Sequence, residues 1–398
     1  MEMKKTLIAR FRWPVAAPAL SLLIAIEMMA QPPMQKAAHI KNSKELAGAI
    51  AQIDTLIAAE YARQKEGSIT VGVVSGGELI WTKSYGVADM REHRPATKDS
   101  TYRIGSISKQ FAGIMLLQLV EQGKVRLSDP VTKYYPEFNL VQNPQAYPTP
   151  TLLQLAAHTA GLESEPDDTE KYTTGPVADW DKTLLTALPH VRYKYEPGTH
   201  EMNSNIGCAI LGEALSRAAA EPYVNYVQEH ILKPLGMSHA AFEQNDAILR
   251  TLAKGYVVNG NSADPQPAAR ELAQGRGYKV PAGALFMPVA DLARFVSFEM
   301  GYGPEGVLPK SVLSENLSHV YGMDGEMTFG AGVAFTVYRQ GTTISFGQIG
   351  SVSGYQAAAF FNPLSHTGFI LMRNVQLPGP REDVTLALAA NKILAESK

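Results

Sequence analysis

The chain has 398 residues, 45% of them hydrophobic and 19% charged, with a formal net charge of -2. This is a soluble globular composition, long enough for one large domain or two modest ones. Near-neutral charge without a basic run excludes a nucleic-acid partner.

Residues 1–30 stand apart from the rest of the chain. Lys4, Lys5, Arg10 and Arg12 form a basic start, Pro14 to Ile26 an apolar core, and a small residue comes next at Ala30. This is the pattern of an export signal, and it places the protein in the periplasm or outside the cell. The run is shorter than the roughly 20 apolar residues a membrane helix needs. Glu27 and Met28 oppose cleavage, and an uncleaved segment would act as a membrane anchor. A polar linker covers residues 31–42, and residues 43–398 form one domain.

Within that domain the pattern runs helix, strands, helices, strands. Lys44 to Gln64 spaces Leu46, Ile50, Ile53, Leu56, Ile57 and Tyr61 as a helix does. Ser68 to Ser75 and Glu78 to Tyr85 read as a hairpin turning at Gly76-Gly77. Ser106 to Gln122 is apolar nearly all round, which predicts a buried helix closed by Gly123. Residues 124–320 read as helices and long Pro/Gly-rich loops. Strands return at Thr328 to Tyr338, Thr342 to Gly347, Tyr355 to Asn362 and Gly368 to Met372, before an amphipathic helix over Asp383 to Ala395. Strands at both ends of a helical middle imply an α/β (α+β) fold, with one sheet assembled from distant segments. Cys208 is the only cysteine, so no intramolecular disulfide forms. It reads as a small buried hydrophobe.

One motif carries chemistry. Ser106-Ile107-Ser108-Lys109 is the only S-x-x-K in the chain; it follows Gly105 and opens the apolar segment. Serine is inert at neutral pH unless a neighbour takes its proton. At i, i+3 on a helix, Ser106 and Lys109 lie on one face within reach of each other. Free N–H groups at the helix start favour a developing oxyanion. There is no G-x-S-x-G, Walker loop, H-E-x-x-H or C-x-x-C. Gly301 to Gly306 matches G-x-G-x-x-G in form but follows a helix and contains Pro304, so it reads as a loop. The nine histidines show no ligand spacing, so neither metal nor cofactor is expected.

Around this motif the chain resembles the serine β-lactamase and penicillin-binding-protein superfamily. The likeness is to its class C-like branch, with class C β-lactamases, D-aminopeptidases, D-Ala-D-Ala carboxypeptidases and family VIII esterases. Leu152 to Leu162, with His158-Thr159-Ala160-Gly161-Leu162, is similar to the branch's L-L-x-H-T-S-G-L segment. Glu196-Pro197-Gly198-Thr199, Ser204-Asn205-Ile206-Gly207 and Pro234-Leu235-Gly236-Met237 also match, so the resemblance spans roughly residues 45–395. It implies a β-lactamase/transpeptidase-like fold: an antiparallel sheet flanked by helices, an all-helical region inserted at about residues 124–320, and the site between them.

The resemblance assigns roles and also exposes two departures. The second motif, Tyr-x-Asn in the branch, is Asn203-Ser204-Asn205 here, so Asn203 holds the catalytic tyrosine's place without a useful proton. The third, Lys-Thr-Gly or His-x-Gly, is Gln348-Ile349-Gly350 followed by Ser351. Gln348 thus lacks the charge that would pair a substrate carboxylate. General acid–base help worth about 10²–10⁴-fold is at stake. Lys109 remains as the base if burial keeps it neutral. The backbone N–H groups of Ser106 and Ser351 would form the oxyanion hole. Asn205 would hold the substrate carbonyl or position Lys109, or else simply cap the helix over Ile206 to Leu215. His158 reads as structural, and Tyr193 or Tyr195 is a remote substitute for the missing phenol. Two functions stay open. One is an exported serine hydrolase working through an acyl-enzyme on a small ester, amide or peptide. The other is an impaired relative that keeps the fold for binding or assembly.

Overall fold

The computed structural model describes residues 44–259, 262–321, 329–379 and 381–397. The expected export signal and linker lie outside the described residues. Eight strands form one sheet: β1 (Ser68–Ser75), β2 (Glu78–Asp89), β3 (Arg94–Pro95), β4 (Phe329–Gly332), β5 (Phe335–Gln340), β6 (Thr343–Val352), β7 (Tyr355–Asn362) and β8 (Thr367–Arg373). Their spatial order is β3-β2-β1-β8-β7-β6-β5-β4, and every neighbouring pair is antiparallel. The two ends of the chain meet at the β1–β8 pair, where Ile69 faces Arg373 and Ser75 faces Thr367.

Five helices frame the site and the sheet: α1 (Lys44–Gln64), α2 (Lys109–Glu121), α3 (Asn205–Ala219), α4 (Val289–Ser297) and α5 (Glu382–Glu396). Side chains alternate along a strand, so each strand feeds two layers. Val71, Phe360 and Leu371 point to one face, where Ile53 and Ile57 of α1 and Leu394 of α5 cover them. Val74, Phe361, Ile370 and Met372 point to the other, against Phe295 of α4 and the helical region. With both faces covered, β7 and β8 are buried throughout. Each fully buried isoleucine such as Ile53 or Ile57 contributes roughly 1.5–3 kcal/mol.

Several expected elements differ in detail. The predicted strand Thr328 to Tyr338 is two strands, because Val333 and Ala334 turn between β4 and β5, with Ala334 at φ 67°; Thr328 itself lies outside the described residues. The predicted helix over Ser106 to Gln122 opens instead as a 3₁₀ turn, Gly105–Ser108, before α2 begins at Lys109. The middle region is not all-helical. Tyr256–Asn259 pairs with Ser262–Asp264 and Val375–Gln376, and Thr101–Arg103 pairs with Phe286–Pro288. Tyr256-Val257-Val258 is a β-branched and aromatic run that suits a strand. Among the described residues no helix is long and apolar enough to cross a membrane.

Candidate active site

The short strand Thr101–Arg103 delivers the chain to Gly105. Gly105 has φ +53°, and a Cβ there would lie 2.7 Å from the Ser351 backbone nitrogen. A Cβ on Gly350 would lie 1.9 Å from the Ile104 carbonyl oxygen and 3.1 Å from the Ser106 nitrogen. Two glycines thus let β6 run against the segment that carries Ser106. The backbone of Ser351 and that of Ser106 are brought side by side.

Ser106 is half-buried in the 3₁₀ turn, and Lys109, the first residue of α2, is only 6% exposed. The Lys109 Nζ donates to Ser106 Oγ at 2.7 Å. Burial lowers the Lys109 ammonium to about 8; Cys208 and Glu165 oppose that shift, whereas Arg276 and Lys279 add to it. The neighbours of Lys109 explain the burial, since Gly113 one turn on, Leu155, Cys208 and Leu211 line one cavity with it.

A small cavity beside Lys109 is lined by Leu155, His158, Cys208, Phe335 and Gln348. His158 sits at φ +58° in the turn after Leu152–Ala156. Burial, and then the nearby Lys109 charge, holds its imidazole at about 3, so it is neutral at physiological pH. Burial pushes the Cys208 thiol up to about 12. Gln348 is 3% exposed, and its Oε1 accepts from the Ile349 backbone N–H at 2.9 Å. The cavity wall at the third motif is therefore neutral.

Asn203 and Asn205 part company. Asn203 is exposed, makes no hydrogen bond to Ser106 or Lys109, and does not line the cavity. Ser204, not Asn205, caps α3: its Oγ accepts from the Gly207 N–H at 2.9 Å. Asn205 is the first residue of the helix, and its Nδ2 donates to Glu165 Oε1 at 2.6 Å. Tyr193 packs edge-on against Phe138 and Tyr147, and Tyr195 stacks on His200. Neither lines the cavity.

Sequence reasoning did not single out the charged shell around this pair. Glu165 also accepts from Lys279 Nζ at 2.8 Å and from the Tyr278 phenol. Arg103 Nη2 donates to Glu271 at 2.7 Å, and Arg276 pairs with the same carboxylate. Against the burial that would raise it, Arg276 and Arg103 hold Glu271 at about 2. The one available signal was position: Glu165 lies three residues beyond Leu162, where the recognisable segment ends. Arg276, Tyr278 and Lys279 come together only through the turn at Gly277, and their spacing matches no motif. Among the described residues no group of three or more His, Cys, Asp or Glu side chains could hold a metal ion.

Residues 53–392, which include every one of these groups, match the family model described as Beta-lactamase. The chain belongs to the Beta-lactamase family. Beta-lactamase-like protein 2 of Dictyostelium discoideum is 30% identical over 335 residues, covering 81% of this chain and 59% of that protein. Protein flp of Staphylococcus aureus (strain MW2) is 24% identical over 326 residues, covering 81% of this chain and 63% of its own length. The chain thus spans about three fifths of these relatives. In fold, the octameric penicillin-binding protein homologue from Pyrococcus abyssi superposes with TM-score 0.70 at 21% identity, over 87% of this chain and 77% of that one. D-alanine carboxypeptidase AmpC from Burkholderia cenocepacia gives 0.68 at 21% identity, over 90% of this chain and 100% of that one. The β-lactamase/transpeptidase-like fold follows from these superpositions, as does membership of the serine β-lactamase and penicillin-binding-protein superfamily from the family match.

Proposed function

We propose that the protein is an exported serine hydrolase that acts through an acyl-enzyme on small, uncharged esters. The observation that carries this reading is the 2.7 Å contact between Lys109 Nζ and Ser106 Oγ, with the amine buried and lowered to about 8. A neutral Lys109 takes the Ser106 hydroxyl proton as Oγ bonds to the substrate carbonyl carbon. The oxyanion faces the backbone N–H groups of Ser106 and Ser351, each such donor being worth roughly 10²–10³ in rate. As the tetrahedral adduct collapses, the C–O bond to the alcohol breaks and the Lys109 ammonium returns the proton to that oxygen. Water then repeats the sequence on the acyl-enzyme, with Lys109 again as base, releasing the acid and restoring Ser106.

Two features support esters over β-lactams and D-amino-acid peptides. The exposed Asn203 supplies no acid for a poor leaving group, and an alkoxide needs less help than an amine. The neutral Gln348 supplies no charge for a substrate carboxylate, a loss of roughly 1.5–3 kcal/mol. Those same features favour a second reading, a binding protein without turnover. Export rests on residues 1–30 and the location in the periplasm or medium on that pattern alone.

The test is intact mass after exposure to a fluorophosphonate. One adduct on wild type and none on Ser106→Ala is the expected result. An Ala variant that labels as fast as wild type refutes the nucleophile, and an unlabelled wild type favours the binding protein. Penicillin turnover faster than that of p-nitrophenyl butyrate would overturn the substrate class.

A further inference from the structure

Neither departure from the family motifs is made good by a side chain at the same position, yet one carboxylate at the site remains unexplained. Glu165 is 29% exposed on its side chain and is served by three donors. Asn205 Nδ2 reaches its Oε1 at 2.6 Å, Lys279 Nζ reaches the same oxygen at 2.8 Å, and the buried Tyr278 phenol donates to Oε2. Those donors come from the first turn of α3 and from the 3₁₀ turn Gly277–Lys279. The Glu165 carboxylate therefore ties two elements together, one of them the helix that brings Cys208 to the cavity beside Lys109.

What faces Lys109 makes this tie chemically specific. From α3 comes Cys208, one turn beyond Asn205 and on the same helix face. Burial keeps that thiol protonated, at about 12. From the turn after Leu152–Ala156 comes His158, neutral above about 3. From residues 276–279 come the cations Arg276 and Lys279, and from residue 165 the carboxylate. Arg276 is paired with Glu271. The Glu165 carboxylate opposes the lowering of Lys109, and it is also the partner of Lys279.

We infer that Glu165 is a positioning residue of this site: its carboxylate fixes the side-chain amide of Asn205 and offsets the cation of Lys279 beside Lys109. The inference rests on the reading of Ser106 and Lys109 as nucleophile and base. Tyr278 and Lys279 hold the carboxylate in place, and they do not touch the reacting atoms. Without the carboxylate, the Lys279 charge that acts on Lys109 loses its ion-pair partner, and the Asn205 amide loses its acceptor.

The experiment is a pH titration of Lys109 by NMR in protein carrying ¹³C at lysine Cε, with the resonance assigned by its loss in Lys109→Arg. In Glu165→Gln the midpoint is expected to move about 1 pH unit lower than in wild type. In Tyr278→Phe, where the carboxylate stays charged, it is expected to stay put. The acid limb of the fluorophosphonate labelling rate should follow the same displacement, which a merely structural role would not produce. If Glu165→Gln fails to fold, Glu165→Asp serves instead. It keeps the charge but draws it back from Asn205, so labelling should slow about tenfold with little change in midpoint. A Glu165→Gln midpoint equal to or above wild type, or a full-rate Glu165→Asp, overturns the inference. A displaced midpoint in a protein whose wild type never labels would uphold the electrostatic role and sink the hydrolase reading instead.

Discussion

Lys109 has to be buried enough to lose its proton and still touch Ser106, and those demands fix its pH dependence. At about 8 roughly a tenth of it is neutral at pH 7, whereas a lysine at about 10.4 would be neutral in well under a thousandth of molecules. The labelling rate of Ser106 should therefore climb about tenfold per pH unit below about 8 and level off above it. Buried and already neutral, His158 adds no limb near the usual histidine value. Lys109→Ala should lower the rate by about 10²–10⁴-fold, and Lys109→Arg should fare no better, because guanidinium stays charged. Asn203→Ala should change it less than about threefold, as fits an exposed side chain with no hydrogen bond in the site. Equal losses at Lys109 and Asn203, or a rate flat from pH 5 to 10, would count against Lys109 as the base. The same lowering has a consequence for stability. The folded chain binds this proton more weakly than the unfolded one, so stability rises with pH between about 8 and the ordinary lysine range, and below about 8 the cost of burying the ammonium is carried in full.

The approach of β6 to the turn bearing Ser106 is backbone against backbone, so no rotamer change can relieve a clash there. A Cβ on Gly350 would meet the Ile104 carbonyl oxygen at 1.9 Å. Gly350→Ala should then push β6 outward, cost about 1–3 kcal/mol, and slow Ser106 labelling by about 10²-fold through a misplacement near 1 Å. Thermal unfolding and labelling measured on one sample check both; a variant within experimental error of wild type would mean that β6 is not needed for the chemistry. Gly350 was readable in advance only because it follows Gln348 at the third-motif spacing. The strands were easier to read: β7 is Tyr355–Asn362 as its apolar run predicts, and α1 is Lys44–Gln64 as its spacing predicts. Both are long, and their patterns are unbroken. The reading failed where local signals cancel. Phe329 to Gln340 carries strand-forming residues on both sides of a turn whose positive-φ residue is Ala334, and Gly332 just before it is the only local mark of the reversal. That turn is enforced from outside: Gln110 Nε2 donates to the Ala334 carbonyl at 2.8 Å, and a Cβ on Gly113 of α2 would crowd Ala334. Glu165 was missed for a related reason, since its partners lie 40, 113 and 114 residues away.

Folding this chain requires its first strand to find its last, and one buried side chain records that meeting. Asn374 follows β8 and is fully buried. Its Oδ1 accepts from the Ser68 backbone N–H at 2.6 Å and from Ser68 Oγ at 2.9 Å. Its Nδ2 donates to the Lys254 carbonyl at 2.8 Å and to those of Ala88 and Val87 at 3.2 and 3.3 Å. A single amide thus satisfies the start of β1, the end of β2 and the segment of the inserted region that leads into Tyr256–Asn259. The ion pair of Arg373 with Glu60, 3.2 Å apart and nearly buried on both sides, adds α1 to the same junction. Asn374→Ala leaves the Ser68 N–H and the Lys254 carbonyl without their partner in a buried site. Each such group costs about 1–3 kcal/mol, so a loss of roughly 2–5 kcal/mol is expected in urea unfolding. Asn374→Asp should be at least as damaging, because a carboxylate keeps the acceptor, loses both donors and brings a charge into the core. Since β7 separates the junction from Gly350 on β6 while both belong to the same sheet, its loss should weaken the whole fold and leave the Lys109 limb of the labelling profile at the same pH. A drop below about 1 kcal/mol in Asn374→Ala would show that water or neighbouring groups replace the amide, and that the two ends of the sheet hold together without it.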